Sequence, residues 1–261
     1  MSLETIDLDR LALGKGTTLL DVGCGEGRHT LSAWLRAPIH AVGLDLSARD
    51  LATARARQAD FSGQAPEGAQ VEFLRASALA MPFPDASFDV VICSEVLEHI
   101  HDYRGVLAEI DRVLRPGGRL AVSVPRAWPE RLCWLLSDPY HEAPGGHIRI
   151  VDARHLARVI ETFGLQARAR HGAHALHVPY WWLRCAAGSD EAADASALVR
   201  SWHRLLVWDL MKAPRTTRTL ERLLDPVFGK SVVMYFDKPG RHRGTLPTRA
   251  AARAPSTMET S

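Results

Sequence analysis

The chain has 261 residues, 46% of them hydrophobic, with a formal net charge of +2; it can bury one substantial core with insertions, and so mild a charge does not point to nucleic acid. Cys24, Cys93, Cys133 and Cys185 lack the paired spacing of a zinc site or a disulfide framework. No charged-then-apolar leader is visible and no apolar run nears the roughly 18 residues that span a bilayer, so the expectation is a cytoplasmic protein.

The first strong signal along the chain is Leu19-Leu20-Asp21-Val22-Gly23-Cys24-Gly25-Glu26-Gly27-Arg28. Its apolar half reads as a strand covered on both faces, and its alternating glycines let a ligand approach the backbone where side chains would collide. A dinucleotide fingerprint needs its third glycine one residue later, at Arg28, so the turn argues against NAD and FAD and against an oxidoreductase. Ala41-Val42-Gly43-Leu44-Asp45 is a second apolar strand, and its terminal carboxylate falls about twenty residues after the turn, where a ribose diol is held.

Apolar runs near 17–22, 39–44, 70–75, 89–93 and 119–124 alternate with helical segments, which predicts an α/β fold with a doubly wound, mainly parallel sheet. Directly after the fourth run, Glu95, Glu98 and His99 stand at i, i+3 and i+4 and would share one face of a helix. Oxygen donors with an imidazole can hold Mg²⁺, which lowers the pKa of a bound hydroxyl. A helix over 103–114 buries Val106, Ile110, Val113 and Leu114 and stops at Pro116-Gly117-Gly118. Another over 153–163 has Asp152 as N-cap, an apolar stripe of Leu156, Val159, Ile160 and Phe163, and Gly164 as its stop. Strands near 165–171 and 231–236 complete the set.

Two segments exceed a minimal domain: about 125–148, with Trp128, Trp134, Tyr140, His141 and His147, and about 174–230, with Trp181, Trp182, Trp202 and Trp208. Both belong beyond the carboxyl ends of strands, where open α/β sheets bind ligands, and so read as helical insertions forming a substrate lid over the active-site face. The apolar helix expected over 194–211 (Leu198, Val199, Trp202, Leu205, Leu206, Leu210) suits a lid, a homodimer contact, a membrane-surface patch or the core itself. His141, His171, His174 and His177 are expected to be solvated or satisfied locally. Residues 239–261 read as a disordered tail, leaving 1–238 as a single domain.

Asp21-x-Gly23-x-Gly25-x-Gly27 with Asp45, then Ser77 to Asp89, Val90 to His99 and Val113 to Leu120, in that order, resemble the class I S-adenosylmethionine (SAM)-dependent methyltransferases over about residues 17–170. The type 11 methyltransferases and the ubiquinone-biosynthesis O-methyltransferases are the likeness within that class. The resemblance implies a Rossmann-like seven-stranded sheet ending in an antiparallel hairpin, with SAM as cofactor and S-adenosylhomocysteine (SAH) as product. It also implies a cofactor set: Gly23, Gly25 and Gly27 around the methionine part, Asp21 orienting the loop, Asp45 on the ribose, Leu46 on the adenine, and Ser77, Ala78 and Cys93 completing it. Ser77 replaces an aspartate frequent in the family.

Glu95-x-x-Glu98-His99 with the distant His147 looks like the metal-binding arrangement of ubiquinone-biosynthesis and small-RNA 2′-O-methyltransferases, although relatives carry the same acids and histidine without metal. In that case His147 or His99 serves as general base, or positioning alone suffices. The function implied is methyl transfer to a hydrophobic or amphipathic small molecule, at a hydroxyl of a quinone or phenol, a polyketide-like metabolite or a lipid. An RNA 2′-O-methyltransferase is the alternative enzyme, yet beyond Arg215, Arg218 and the tail there is no strong nucleic-acid signal. A non-catalytic partner protein that binds SAM or SAH is the alternative of another class.

Overall fold

The computed structural model describes residues 4–137, 146–212 and 214–240. One sheet carries seven strands in the order β3-β2-β1-β4-β5-β7-β6, namely β1 Thr18–Val22, β2 His40–Asp45, β3 Gln70–Arg75, β4 Phe88–Ser94, β5 Leu114–Pro125, β6 Gln166–Ala173 and β7 Ser231–Asp237. β1 to β5 run parallel, and β7 lies antiparallel between β5 and β6. Helices α1 Arg28–Arg36, α2 Ala48–Phe61, α3 Tyr103–Val113 and α5 Ala153–Glu161 cover the sheet, while α4 Ala127–Leu136 follows β5, and α6 His177–Ala186, α7 Asp190–Ala195, α8 Ala197–Lys212 and α9 Arg215–Phe228 separate β6 from β7. The fold class expected from the sequence is therefore the one observed.

Local chemistry sets the boundaries. Asp152 accepts from the Arg154 and His155 amides at 2.8 and 3.2 Å, starting α5, and Gly164 adopts φ +85° just beyond its end, a left-handed stop that glycine takes without strain. One expectation is corrected: α3 ends at Val113 and β5 begins at Leu114, because Leu114 pairs with Phe88 and draws the Pro116-Gly117-Gly118 segment into the strand. The sheet order reverses between β1 and β4, which opens the ligand crevice above the carboxyl ends of these two strands.

The N-terminal segment packs into the core instead of forming a lid, with Ile6, Leu8 and Leu11 fully buried. It is anchored by His29 Nε2, which accepts from the Thr5 and Ile6 amides at 3.2 and 3.3 Å. Burial, and after it the Arg28 charge, push the His29 pKa down to about 3. A base held neutral in the fold protonates more readily in the unfolded chain, so its contribution is full above the ordinary value of 6.5 and is lost as pH falls towards about 3. Urea unfolding at about pH 7 and about pH 4.5 should therefore show wild type losing more stability on acidification than His29→Gln; parallel losses would reject this anchor.

Candidate cofactor and reaction site

β1 delivers Asp21 and then the glycine turn to the crevice. Asp21 is buried and accepts from Thr30 N at 3.0 Å and Thr30 Oγ1 at 2.7 Å, which fixes the first turn of α1 against the strand. Burial pushes its carboxyl up to about 6, the two Thr30 bonds opposing. Gly23, Gly25 and Gly27 all have positive φ, at +68°, +52° and +81°, conformations that side chains resist. A Cβ on Gly23 would lie 2.4 Å from Val96 Cγ2, whereas one on Gly25 would meet nothing within 4 Å. Open space over Gly25 beside a wall at Gly23 is the cradle that a bound cofactor requires.

Asp45, at the end of β2, closes the other side. Its Oδ2 accepts from Gly25 N and its Oδ1 from Ser47 N, both at 2.8 Å, so the carboxylate braces the glycine turn as well as facing the crevice. Leu46 is 64% exposed, a surface free for stacking. Ser77 Oγ accepts from Leu79 N at 3.2 Å, Ala78 is buried, and Cys93 has no exposed surface and sits inside the core.

The residues after β4 depart from the helix expected there. Glu95 has φ +57° and only Leu97–His99 form a short 3-10 turn, so the three residues do not share a helix face. Glu95 Oε1 instead accepts from Ser123 Oγ at 2.9 Å. A left-handed non-glycine residue costs of order 1–3 kcal/mol, and such strain gathers at functional sites.

Glu98, His99 and His147 do converge, with ligand atoms all within 4.8 Å of one another. His99 Nδ1 meets the Gly146 carbonyl at 3.1 Å, and His147 Nδ1 meets Glu130 Oε1 at 2.5 Å. Glu130 also accepts from Trp134 Nε1 at 3.1 Å. Burial alone would raise the Glu130 carboxyl, but the hydrogen bond and charge of His147 outweigh it and hold it below the usual range. Burial likewise lowers His99.

Glu98 is fully buried and neither of its oxygens meets a hydrogen-bond partner. Burial, then the nearby Glu95 charge, raise its pKa well above the ordinary value. Such a carboxyl stabilises the fold below its unfolded pKa and loses that contribution as pH rises towards the folded one. Glu98→Gln should accordingly gain thermal stability relative to wild type at about pH 8 and much less at about pH 5. A loss at both pH values in metal-free buffer would overturn this.

Further residues were not legible in advance. Glu130 is the key one, the single acid in the apolar segment Ala127–Leu136 and four residues before Trp134, a pattern that could have marked it. Val96 and Ser123 carried no sequence signal, because only the pairing of β4 with β1 and with β5 brings them to the glycine turn and to Glu95.

The tryptophans stitch the insertions together: Trp128, Trp182 and Trp202 donate through Nε1 to the Val227, Pro129 and Leu176 carbonyls at 3.0, 3.3 and 2.9 Å. Of the histidines expected to be solvated or satisfied locally, His174 meets Thr5 Oγ1 at 3.2 Å, and burial depresses the pKa values of His174 and His177. Tyr140, His141 and the tail from Arg241 onward lie outside the described residues.

A Rossmann-like sheet with this topology, a glycine cradle after β1 and an acid at the end of β2 define the class I SAM-dependent methyltransferase fold. Residues 20–122 match the family described as methyltransferase domain, and over this segment the chain is similar to the class I SAM-dependent methyltransferases. It is 39% identical over 115 residues to an O-methyltransferase of Aspergillus nomiae, covering 44% of this chain and 49% of the relative. It is 40% identical over 120 residues to the 27-O-demethylrifamycin SV methyltransferase of Amycolatopsis mediterranei (44% and 42% covered). With the demethylmenaquinone methyltransferase of Thermus thermophilus it shares 43% identity over 114 residues (43% and 49% covered).

The chain thus spans about half the length of the curated relatives it matches. Among solved structures, a SAM-dependent methyltransferase of Methanosarcina mazei superposes with TM-score 0.60 at 16% identity, covering 91% of this chain and 100% of that one. The [4+2]-cyclase SpnF gives 0.58 at 22% identity (89% and 78% covered). At these identities the likeness is one of fold, and a cyclase among the neighbours illustrates that the fold hosts more than one chemistry.

Proposed function

We propose that this chain transfers the methyl group of SAM to a hydroxyl of a hydrophobic or amphipathic small molecule, of quinone or phenol, polyketide-like or lipid type. Residues 1–238 would act as one methyltransferase domain with 125–148 and 174–230 as its lid. The observation that carries the reading is the Glu130–His147 pair, in contact at 2.5 Å beside His99 and Glu98. The names of the relatives, O-methyltransferases and a quinone methyltransferase, support the same acceptor class.

When bound, SAM supplies an already activated methyl group. Gly23, Gly25 and Gly27 would receive its methionine part, with Asp21 fixing the loop through Thr30; Asp45 would accept from the ribose, Leu46 would cover the adenine, and Ser77, Ala78 and Cys93 would complete the set. Glu130 holds His147 Nδ1–H, so Nε2 takes the acceptor proton and the imidazolium that forms is steadied by the carboxylate. His99, oriented by the Gly146 carbonyl, is the second imidazole at hand.

A metal-assisted variant is favoured by one observation, the unpartnered carboxyl of Glu98 beside two rings whose Nδ1 atoms are both held, as ligating histidines usually are. Glu98, His99 and His147 would hold the ion, which would lower the pKa of the acceptor hydroxyl. With Glu95 turned to Ser123, two nitrogens and one carboxylate suit Zn²⁺ or Mn²⁺ better than Mg²⁺. Against RNA as acceptor, Arg218 is tied to Asp209 and Glu221 at 2.6 and 3.1 Å. Trp208, Met211 and Leu223 are exposed on α8 and α9, a face suited to a membrane surface or a second copy.

Acceptor panels of phenols, quinones and hydroxylated polyketides with SAM test the reading by product mass. His147→Ala should lower kcat by about 10²–10⁴-fold with SAH affinity unchanged, and Glu130→Gln should do so less. SAH binding without any methylated product would favour the non-catalytic partner, and full activity in His147→Ala would reject the base. Activity abolished by chelator and restored by Mn²⁺ or Zn²⁺ would assign the metal variant.

A further inference from the structure

A second convergence of ligating groups lies away from the Glu130–His147 pair, where the lid joins the edge of the sheet. His174 follows the end of β6, His177 opens α6, and Glu221 projects from α9; their ligand atoms all lie within 4.8 Å of one another. Two chain segments remote in sequence, the turn after β6 and helix α9, thus meet at one point.

Four observations suggest that the point is built for an occupant. His174 holds φ +66°, a strained conformation for a residue with a side chain. His177 Nδ1 is buried without a hydrogen-bond partner, as are Asp209 Oδ1 and Arg218 Nε in the same polar cluster, whereas buried polar atoms are nearly always satisfied by protein, water or an ion. The Thr5 hydroxyl steadies the His174 ring at 3.2 Å from Nε2. Arg218 occupies one Glu221 oxygen at 3.1 Å and Asp209 Oδ2 at 2.6 Å, which leaves Glu221 its second oxygen.

We propose that His174, His177 and Glu221 form a binding site for a divalent transition-metal ion, zinc by preference, that clamps the lid to the sheet edge. Two imidazoles with one carboxylate is an established zinc donor set, with a water completing the tetrahedron, and the nitrogen donors disfavour Mg²⁺ and Ca²⁺. Ligand atoms about 2.0–2.1 Å from a tetrahedral ion are about 3.4 Å apart, so the 4.8 Å spread closes with side-chain adjustment. Arg28, Arg218 and Lys230 bear on the rings, opposed by Asp209 and Asp225 around Glu221, so three cations face two acids besides the ligand carboxylate. This clamp goes beyond the methyl-transfer reading and does not depend on it.

The test uses the whole chain, stripped with chelator and desalted, in a background carrying Glu98→Gln, His99→Ala and His147→Ala so that the reaction centre cannot contribute. Calorimetric titration with Zn²⁺ should give one saturable equivalent and raise the unfolding temperature. Co²⁺ should develop the intense visible absorption of a tetrahedral site. Glu221→Gln, close to isosteric, and His177→Ala should each lower the affinity at least tenfold while circular dichroism stays native. If a variant misfolds, the parent titration still decides: no saturable uptake by the folded parent overturns the site and assigns the cluster to water. Uptake indifferent to both substitutions overturns it equally.

Discussion

Gly23→Ala should destabilise the protein by about 2–5 kcal/mol, combining roughly 1–2 for a left-handed alanine with the 1–3 typical of overpacking, and should abolish measurable SAH binding. The reason is local and double: φ is +68°, and the new methyl would lie 2.4 Å from Val96 Cγ2. Gly23 N is also committed to the Leu44 carbonyl at 2.7 Å, so the turn cannot relax without breaking its tie to β2. Adding Val96→Ala should return the overpacking part of the loss and leave the backbone part, a coupling that a double-mutant cycle reads directly. Wild-type unfolding and SAH affinity in Gly23→Ala would show that the cradle is not where the cofactor sits.

Asp45→Ala should weaken SAH binding by roughly 10–150-fold, the equivalent of about 1.5–3 kcal/mol for hydrogen bonds to a charged group. Two effects contribute, because the carboxylate that would accept from the ribose also holds the Gly25 and Ser47 amides at 2.8 Å each. They separate with a deoxyribose analogue of SAH: it should bind wild type more weakly than SAH, while Asp45→Ala should no longer distinguish the two. Discrimination that persists in Asp45→Ala would leave the residue as a loop brace alone, and unchanged SAH affinity would remove it from the site.

Most of the candidate cofactor half is local in sequence. Strand, glycine turn and acid occur within some thirty consecutive residues, and each obeys a local rule: apolar runs for β1 and β2, positive φ for the three glycines, a carboxylate at a strand end. The reaction half obeyed no local rule. Placing Glu95, Glu98 and His99 on one helical face assumed that a helix starts directly after β4, but β4 hydrogen-bonds along β5 up to Ser94, and the chain leaves it through a left-handed Glu95 that bonds Ser123. The His147 partner, Glu130, lies seventeen residues earlier on a helix that the sequence marked only as part of an insertion.

The tryptophans divide along the same line. Their concentration in 125–148 and 174–230 predicts a lid, but their use is set by packing: the indoles of Trp128, Trp182 and Trp202 are bonded to carbonyls of the same two insertions, tying these segments to one another. By itself the sequence determined the doubly wound sheet and the glycine turn, since hydrophobic period, glycine spacing and caps act over a few residues. Only the tertiary structure decided which acid meets which histidine, which glycine is walled by Val96 and which buried groups go unpartnered. Those are contacts between strands and helices far apart in the chain, and their energies depend on burial and direction, which no local pattern encodes.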